Sequence, residues 1–328
     1  MTTPTETTGS APEAGPAEAP SKQIEGRSPG RIAWSRLKRD KIAMAGGIVV
    51  ILLILAAILA PVLTSLFGHP ADQPHPDQIN ADTGLPKHPF GGISGDFLLG
   101  VDPVFGRDVF SRIVHGAQIS LTVAFLSAGV SVVIGVLMGV AAGYFGGWVD
   151  AAISRVMDVL LAFPQLLFSI ALVSVMPDRL LGLSGTGVRM AILVLVIGFF
   201  GWPYIGRIVR GQALSMRERE FVDAARSLGA GSGHILLREL LPNLVAPVLV
   251  YATLIIPTNI LSEAALSFLG AGVKPPTPSW GQMLSDATKI YQVDPTYMVI
   301  PGLAIFITVL AFNLFGDGLR DALDPKGN

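Results

Sequence analysis

The chain has 328 residues and a formal net charge of −1, with 51% hydrophobic residues and only 14% charged residues. A soluble domain carries about 25% charged residues, so these charges are too few to cover a soluble globule of this size. The composition, with a mean hydropathy of +0.57, predicts a membrane protein with several spans. The lack of a basic surface argues against nucleic acid as a partner. The absence of Cys excludes disulfides and thiolate metal sites.

The N-terminal segment, residues 1–35, is rich in Thr, Pro, Ala, Glu and Gly and has little apolar surface to bury, so we predict a disordered tail. A basic stretch follows, and then 25 uncharged residues run from Ile42 to Leu66. This run is too long for the apolar part of a signal peptide, which has about 7–15 residues. It predicts a first transmembrane helix within 36–67.

Five more apolar segments are each long enough to cross a bilayer. They are Ser120–Gly143, Ile153–Met176, Val188–Ile205, Val245–Ser262 and Tyr297–Phe315. The predicted fold is therefore an all-α membrane protein with six transmembrane helices. Prolines within or at the end of these segments can kink the helices, although proline is also common in membrane helices without such a role. They are Pro164, Pro203, Pro247 and Pro257.

The basic residues predict how the chain is oriented. If the N-terminus is cytoplasmic, 16 of the 23 Lys and Arg residues lie on the cytoplasmic side, which the positive-inside rule favours. We therefore expect a multi-pass protein of the plasma (inner) membrane with both termini cytoplasmic. The acidic loop 68–115 is then extracytoplasmic. A transmembrane core, 116–317, contains a cytoplasmic loop at 207–243, and a cytoplasmic tail, 318–328, follows it.

Small residues recur at every fourth position of the second span and share one helix face. They are Ser127, Ser131, Gly135, Gly139 and Gly143. Such a stripe lets another backbone approach closely. The partner is either a helix of the same chain or a helix of a second subunit, and the pattern fits both.

No segment predicts catalysis or cofactor binding. The sequence contains no GxxxxGK[ST] phosphate loop, no GxSxG and no HExxH, so catalytic, cofactor-binding and metal residues are all predicted to be absent. Asp158 is expected to pair with Arg155 one turn earlier, with a proton-relay carboxylate as the alternative. Glu263 is expected to be a cap or an interface residue.

The cytoplasmic loop has helical periodicity. From Glu218 to Leu228, the apolar side chains occur at helical spacing, which predicts a helix with one apolar face. They are Phe221, Ala224, Ala225 and Leu228. Gly229 is predicted to end this helix with a positive φ. Ser232 then caps a second short helix, Ile235–Leu241, which Pro242 ends. A helix–turn–helix of this kind suits a groove on another protein, and a solvated linker is the alternative.

The same loop resembles the EAA motif of ABC importer permeases, in which EAA is followed by three residues, G, nine residues and I-x-L-P. The matching residues are Ala224, Ala225, Gly229, Leu241 and Pro242. Asp223 stands where the motif has Glu, which keeps the charge, and Glu239 occupies the isoleucine position.

Further segments, in the same order and at similar spacing, resemble the C-type permease of dipeptide and oligopeptide importers. They are Leu99–Arg112, Arg155–Pro164, Leu266–Gly270 with Pro275–Gly281, and Gly316–Pro325. The resemblance implies the permease fold of a type I ABC importer. It also implies that this chain forms half of a path for peptides delivered by a substrate-binding protein.

The implied partners are a second related permease, two ATPase subunits and an extracytoplasmic substrate-binding protein, in a lipid membrane. ATP and Mg would be bound by the ATPases, and this chain would bind no cofactor. Residues 223–229 would couple it to an ATPase. The alternatives are an importer of the same architecture for nickel, heme or glutathione, or a self-sufficient secondary carrier.

Overall fold

The computed structural model describes residues 29–176, 179–180 and 183–323. The tail predicted at 1–28 and the last residues, 324–328, therefore lie outside the described residues. Residues 29–35, predicted as disordered, are instead helical, because a helix runs from Pro29 to Leu37 (α1). Leu37 is buried against Ala43 and Ala322 near the C-terminal end of the chain, so tertiary packing supplies the stability that the local composition lacks.

Helices make up most of the described chain. After α1 come Lys41–Ile58 (α2), Ala60–Phe67 (α3), the short turn Pro89–Gly92 (α4), Val109–Phe145 (α5), Gly147–Ala162 (α6), Gln165–Val175 (α7), Thr186–Arg217 (α8), Glu220–Ser227 (α9), Ser232–His234 (α10), Leu241–Phe268 (α11), Trp280–Ala287 (α12) and Thr296–Leu323 (α13). Two-residue strands, Arg179–Leu180 (β1) and Leu183–Ser184 (β2), pair antiparallel between α7 and α8.

Five helical stretches are long and apolar enough to cross a membrane: α2, α5, α8, the continuous stretch Ser232–Phe268 and α13. The pair α6 and α7 passes the same test of length and composition when it is taken together, although its two helices meet at a bend of 85°. The predicted all-helical architecture is therefore confirmed, with five candidate spans, or the predicted six when the bent pair counts as one span.

The break falls at Phe163 and Pro164. Phe163 is extended, with φ −77° and ψ 137°, which is the conformation favoured before proline. Pro164 also lacks an N–H for the helical hydrogen-bond ladder. The segment predicted as one span, Ile153–Met176, is thus two helices. Pro203, in contrast, remains inside α8.

The stripe of small residues packs against α8 of the same chain. Ser131 donates a hydrogen bond to the carbonyl of Gly198 at 2.9 Å. A Cβ placed on Gly139 would lie 2.6 Å from the carbonyl oxygen of Gly206. Only small residues allow the two backbones to approach this closely.

Residues 68–108 form a lobe at the opposite end of α5 from Phe145, and Arg112 anchors it. The fully buried guanidinium of Arg112 donates to the carbonyls of Ala71 and Pro276, each at 3.3 Å. Within the lobe, Arg107 pairs with buried Asp102 at 2.6 Å. Burial raises the pKa of the Asp102 carboxyl, and the charge of Arg107 opposes that rise.

Two carboxylates have partners that the sequence did not indicate. Asp158 pairs with Arg207 of α8, rather than with Arg155, because α6 packs alongside α8. Glu263 is fully buried and accepts hydrogen bonds from Ser120 at 2.8 Å and Ser267 at 2.7 Å. It therefore ties α11 to α5 and is not a residue of an exposed interface.

We expect Gly139→Ala to destabilise the protein by about 1–3 kcal/mol, because the added methyl group overpacks the contact between α5 and α8. The matched control is Gly129→Ala in the same helix, where an added Cβ meets no atom within 4 Å. There alanine should be neutral or should stabilise by about 0.5–1 kcal/mol. Thermal unfolding of both purified variants in detergent measures the difference. Equal melting temperatures would contradict the packing described here.

Candidate functional site

The loop between α8 and α11 lies at the end of the bundle where α5 ends. Arg217, the last residue of α8, donates to the carbonyl of Tyr144 at 3.5 Å, which holds the end of α8 beside the end of α5. The chain then turns at Arg219 into α9. The start of α9 is therefore fixed by two of the spanning helices.

The inner side of α9 is anchored by Val222, which is fully buried against Ile235 and Leu240. Ala225, one turn later, is half-buried in the same cluster. The guanidinium of Arg226 lies over the Tyr144 ring, 5.9 Å from its centroid. These contacts fix how α9 is rotated about its axis.

The outer side of α9 exposes apolar side chains. Phe221 and Ala224 are exposed, and Leu228 just after the helix is 89% exposed. The predicted face of four residues is therefore divided, since Ala225 points toward its own chain. Val222 was not predicted to belong to this site, because its burial depends on residues after position 234. These neighbouring apolar side chains are free to contact another protein.

Gly229 produces the sharp turn after α9. Its φ is +83°, the left-handed conformation that the sequence predicts. The N–H of Gly229 bonds to the carbonyl of Arg226 at 2.9 Å, and the N–H of Ala230 bonds to that of Ala225 at 3.0 Å. This pattern closes the last helical turn and fixes the direction in which the chain leaves α9.

The prediction of a separate second short helix, Ile235–Leu241, is wrong. Residues Ser232–Phe268 form one continuous helix, and Pro242 lies inside it. Residues Ile235–Leu240 are π-helical. This wider turn accommodates the ring of Pro242 and the absence of its backbone N–H. Ser232 is not the cap either, since that position is taken by Gly231. As a result, the second half of the loop is a rigid extension of α11.

An open cleft of about 780 Å³ lies beside Phe221 and is lined by Gln212, Met216, Arg219 and Asn243. The remaining predicted site residues surround this end of the molecule: Asp223 and Pro242 are exposed, and Leu241 is half-buried. Within the described residues, no group of three His, Asp or Glu side chains could hold a metal ion. The arrangement provides a shaped surface for contact with another protein.

Comparison with known proteins gives consistent matches. The sequence model of the family described as "Binding-protein-dependent transport system inner membrane component" matches residues 131–327. The model described as "N-terminal TM domain of oligopeptide transport permease C" matches residues 28–85.

Similar proteins include a dipeptide transport system permease protein of Alkalihalophilus pseudofirmus, 41% identical over 94% of this chain and 93% of that protein. A glutathione transport system permease protein of Pectobacterium atrosepticum is 42% identical over 92% of each chain. The corresponding protein of Escherichia coli O157:H7 is 43% identical over 92% of this chain and 91% of that protein.

Among solved structures, the MetNI methionine ABC transporter in an inward-facing conformation contains a chain of similar fold. The TM-score is 0.52 at 21% identity, and the match covers 65% of this chain and 96% of that chain. At this identity the likeness concerns the fold alone.

We expect Gly229→Val to loosen the turn after α9, because a β-branched residue at φ +83° is strained by about 1–2 kcal/mol or more. Gly231→Val is the matched control, since Gly231 has a φ of −73°, which valine adopts freely. Hydrogen exchange of residues 218–234 in the purified protein should be faster in the first variant only. Equal exchange in both variants would show that the left-handed turn does not hold α9.

Proposed function

The chain belongs to the family of binding-protein-dependent transport system inner membrane components, and we propose that it imports peptides as half of the path of an ABC importer. It is a permease subunit and not an enzyme, since its relatives are permeases of transport systems. The other half of the path would come from a second, related permease.

The observation that carries the coupling part of this proposal is the geometry of α9. Buried Val222 and the turn at Gly229 hold the helix in place, while Phe221, Ala224 and Leu228 remain exposed. A helix presented in this way is suited to insert into a groove of an ATPase subunit. ATP and Mg would be bound by two such subunits, and hydrolysis there would move this chain through α9.

The proposed substrate is a dipeptide or oligopeptide delivered by an extracytoplasmic binding protein. The relative named for dipeptide transport is 41% identical, and the relatives named for glutathione transport are 42–43% identical. Glutathione, which is itself peptide-like, is therefore the second candidate. Both solutes carry neutral amide groups.

The proposed orientation places α9 and both termini in the cytoplasm and the lobe of residues 68–108 outside, in the plasma (inner) membrane. The basic residues support it, since 16 of 23 would then be cytoplasmic. Two of these basic residues, Arg219 and Arg226, are exposed at the start and the end of α9, on the side proposed to be cytoplasmic.

We expect Ala224→Trp to reduce copurification of the ATPase subunits about tenfold or more, because an indole on the exposed side of α9 prevents close seating, as bulk does at the centre of an interface. Ala81→Trp is the control, since Ala81 is also exposed but lies in the lobe at the other end. Affinity purification through a tag on this chain measures the ATPases retained. Retention at the wild-type level in Ala224→Trp would rule out α9 as the coupling helix.

The orientation is tested by single cysteines, since the chain has none of its own. In intact cells, a membrane-impermeant maleimide should label Asn80→Cys and should not label Ser227→Cys. Both positions are exposed, so permeabilised cells should show labelling of both. Labelling of Ser227→Cys alone in intact cells would reverse the proposed orientation.

A further inference from the structure

We infer that a cleft between α7, α8 and α11 forms this chain's wall of the translocation path, and that it binds solutes through their neutral amide groups. The inference rests on the proposed function. The cleft has a volume of about 380 Å³, within the range of small-molecule sites. Its polar side chains come from all three helices; they are Gln165, Tyr204, Tyr251, Thr258, Asn259 and Ser262.

These side chains lie at membrane depth. On α11, the stretch from Tyr251 to Ser262 spans about 16 Å at 1.5 Å per residue and falls within the apolar segment predicted to cross the bilayer. Tyr204 lies at the end of the corresponding segment of α8. A surface that faces lipid is expected to be apolar, because polar groups there are costly. A polar cleft at this depth therefore faces water or protein.

Two of the six polar side chains in the cleft form hydrogen bonds within the described chain, and four do not. Asn259 is buried and donates to the carbonyl of Ala124 at 3.3 Å, and Ser262 donates to the carbonyl of Thr258 at 2.9 Å. Among the residues that the structure describes, the side chains of four others have no hydrogen-bond partner. They are Gln165, Tyr204, Tyr251 and Thr258. Such groups bind water or a passing solute.

The broken span provides a second, independent reason for water at this place. Gln165 is the first residue of α7, directly after the non-helical Phe163 and Pro164, which are both exposed. Backbone groups at a break in a helix lack their helical partners. Irregular backbone at membrane depth is tolerated only where it is buried in protein or lines a water-filled cavity. Because Phe163 and Pro164 are exposed on this chain, a water-filled cavity explains the irregular backbone better than burial within the chain does.

The cleft contains no charged side chain, which limits the solutes that it can recognise. Arg207, which lies one turn after Tyr204, is paired with Asp158 at 2.5 Å. Carboxylate, imidazole and thiolate groups are the side chains that most often bind metal cations in proteins, and the lining has none of them. The carboxamide and hydroxyl groups match the N–H and C=O of a peptide bond, which all peptides share whatever their side chains.

Accessibility of single cysteines in the assembled transporter tests the inference. Thr258→Cys in the cleft is compared with Leu249→Cys, nine residues earlier on the opposite side of α11 and also exposed. A cationic methanethiosulfonate should modify position 258 about tenfold faster or more, because it reacts with the thiolate, which forms only in water.

Equal rates at the two positions overturn the inference, and so does modification of position 258 by a lipophilic maleimide alone, which would mean that the cleft faces lipid. If position 258 resists both reagents and forms a disulfide with a cysteine of the second permease, the cleft is a subunit interface. That result also overturns the inference. These outcomes do not depend on which solute is transported.

Uptake of Ala-Ala, Lys-Ala and Asp-Ala into proteoliposomes by the full complex tests the recognition of amides. Thr258→Val should lower all three rates by a similar factor of about 2 to 10, since one hydrogen bond is lost. Thr253→Val is the control, because the Thr253 hydroxyl donates within its own helix to Val250 at 2.7 Å. It should transport all three peptides at the wild-type rate.

Thr258→Asp tests whether position 258 contacts the solute, because a purely structural role for this residue would not change the ratio of the uptake rates of Lys-Ala and Asp-Ala. A carboxylate in the cleft should favour Lys-Ala over Asp-Ala by about tenfold, since opposite charges attract strongly where little water screens them. An unchanged ratio of the two rates would overturn the assignment of position 258 to the path. If the wild-type complex transports none of the three peptides, the proposed substrate is wrong, and the labelling rates still decide whether the cleft is a path.

Discussion

Along the contact between α5 and α8, the two backbones are so close that a Cβ added at Gly135, Gly139 or Gly143 would lie within 2.8 Å of α8. Interiors packed to this density transmit displacement rather than absorb it. The two helices are therefore expected to move as one body. Most of the remaining structure is attached to this body: the lobe through Arg112 at one end of α5, and α9 through Tyr144 at the other.

This arrangement joins the two sites that we propose to act in transport, the polar cleft and α9. Tyr204 and Ile205 of α8 line the polar cleft, and the same helix continues to Arg217, where the chain turns into α9. A force on α9 is thus expected to reach the wall of the cleft through a single helix. The π-helical turn before Pro242 makes α11 continuous with the loop, which provides a second rigid connection to the other wall.

Much of this could be predicted from the sequence, because hydropathy and spacing act locally. The apolar segments identified the spans, and the small residues of α5 identified a close contact. Gly229 identified a left-handed turn. What could not be predicted depends on distant residues: Val222 rather than Ala225 is the main buried anchor of α9, because Ile235 and Leu240 cover it. Likewise, Pro164 breaks its span whereas Pro203 does not, and the local sequence does not distinguish the two.

The proposed contact between α9 and an ATPase subunit is tested most directly by a photoreactive amino acid at position 228, just after α9, where the side chain is 89% exposed. In the purified, complete transporter, illumination should link this chain to an ATPase subunit, whereas the same amino acid at position 81 should not. A link from position 228 to the binding protein, or no link above that seen at position 81, would contradict the coupling role of α9.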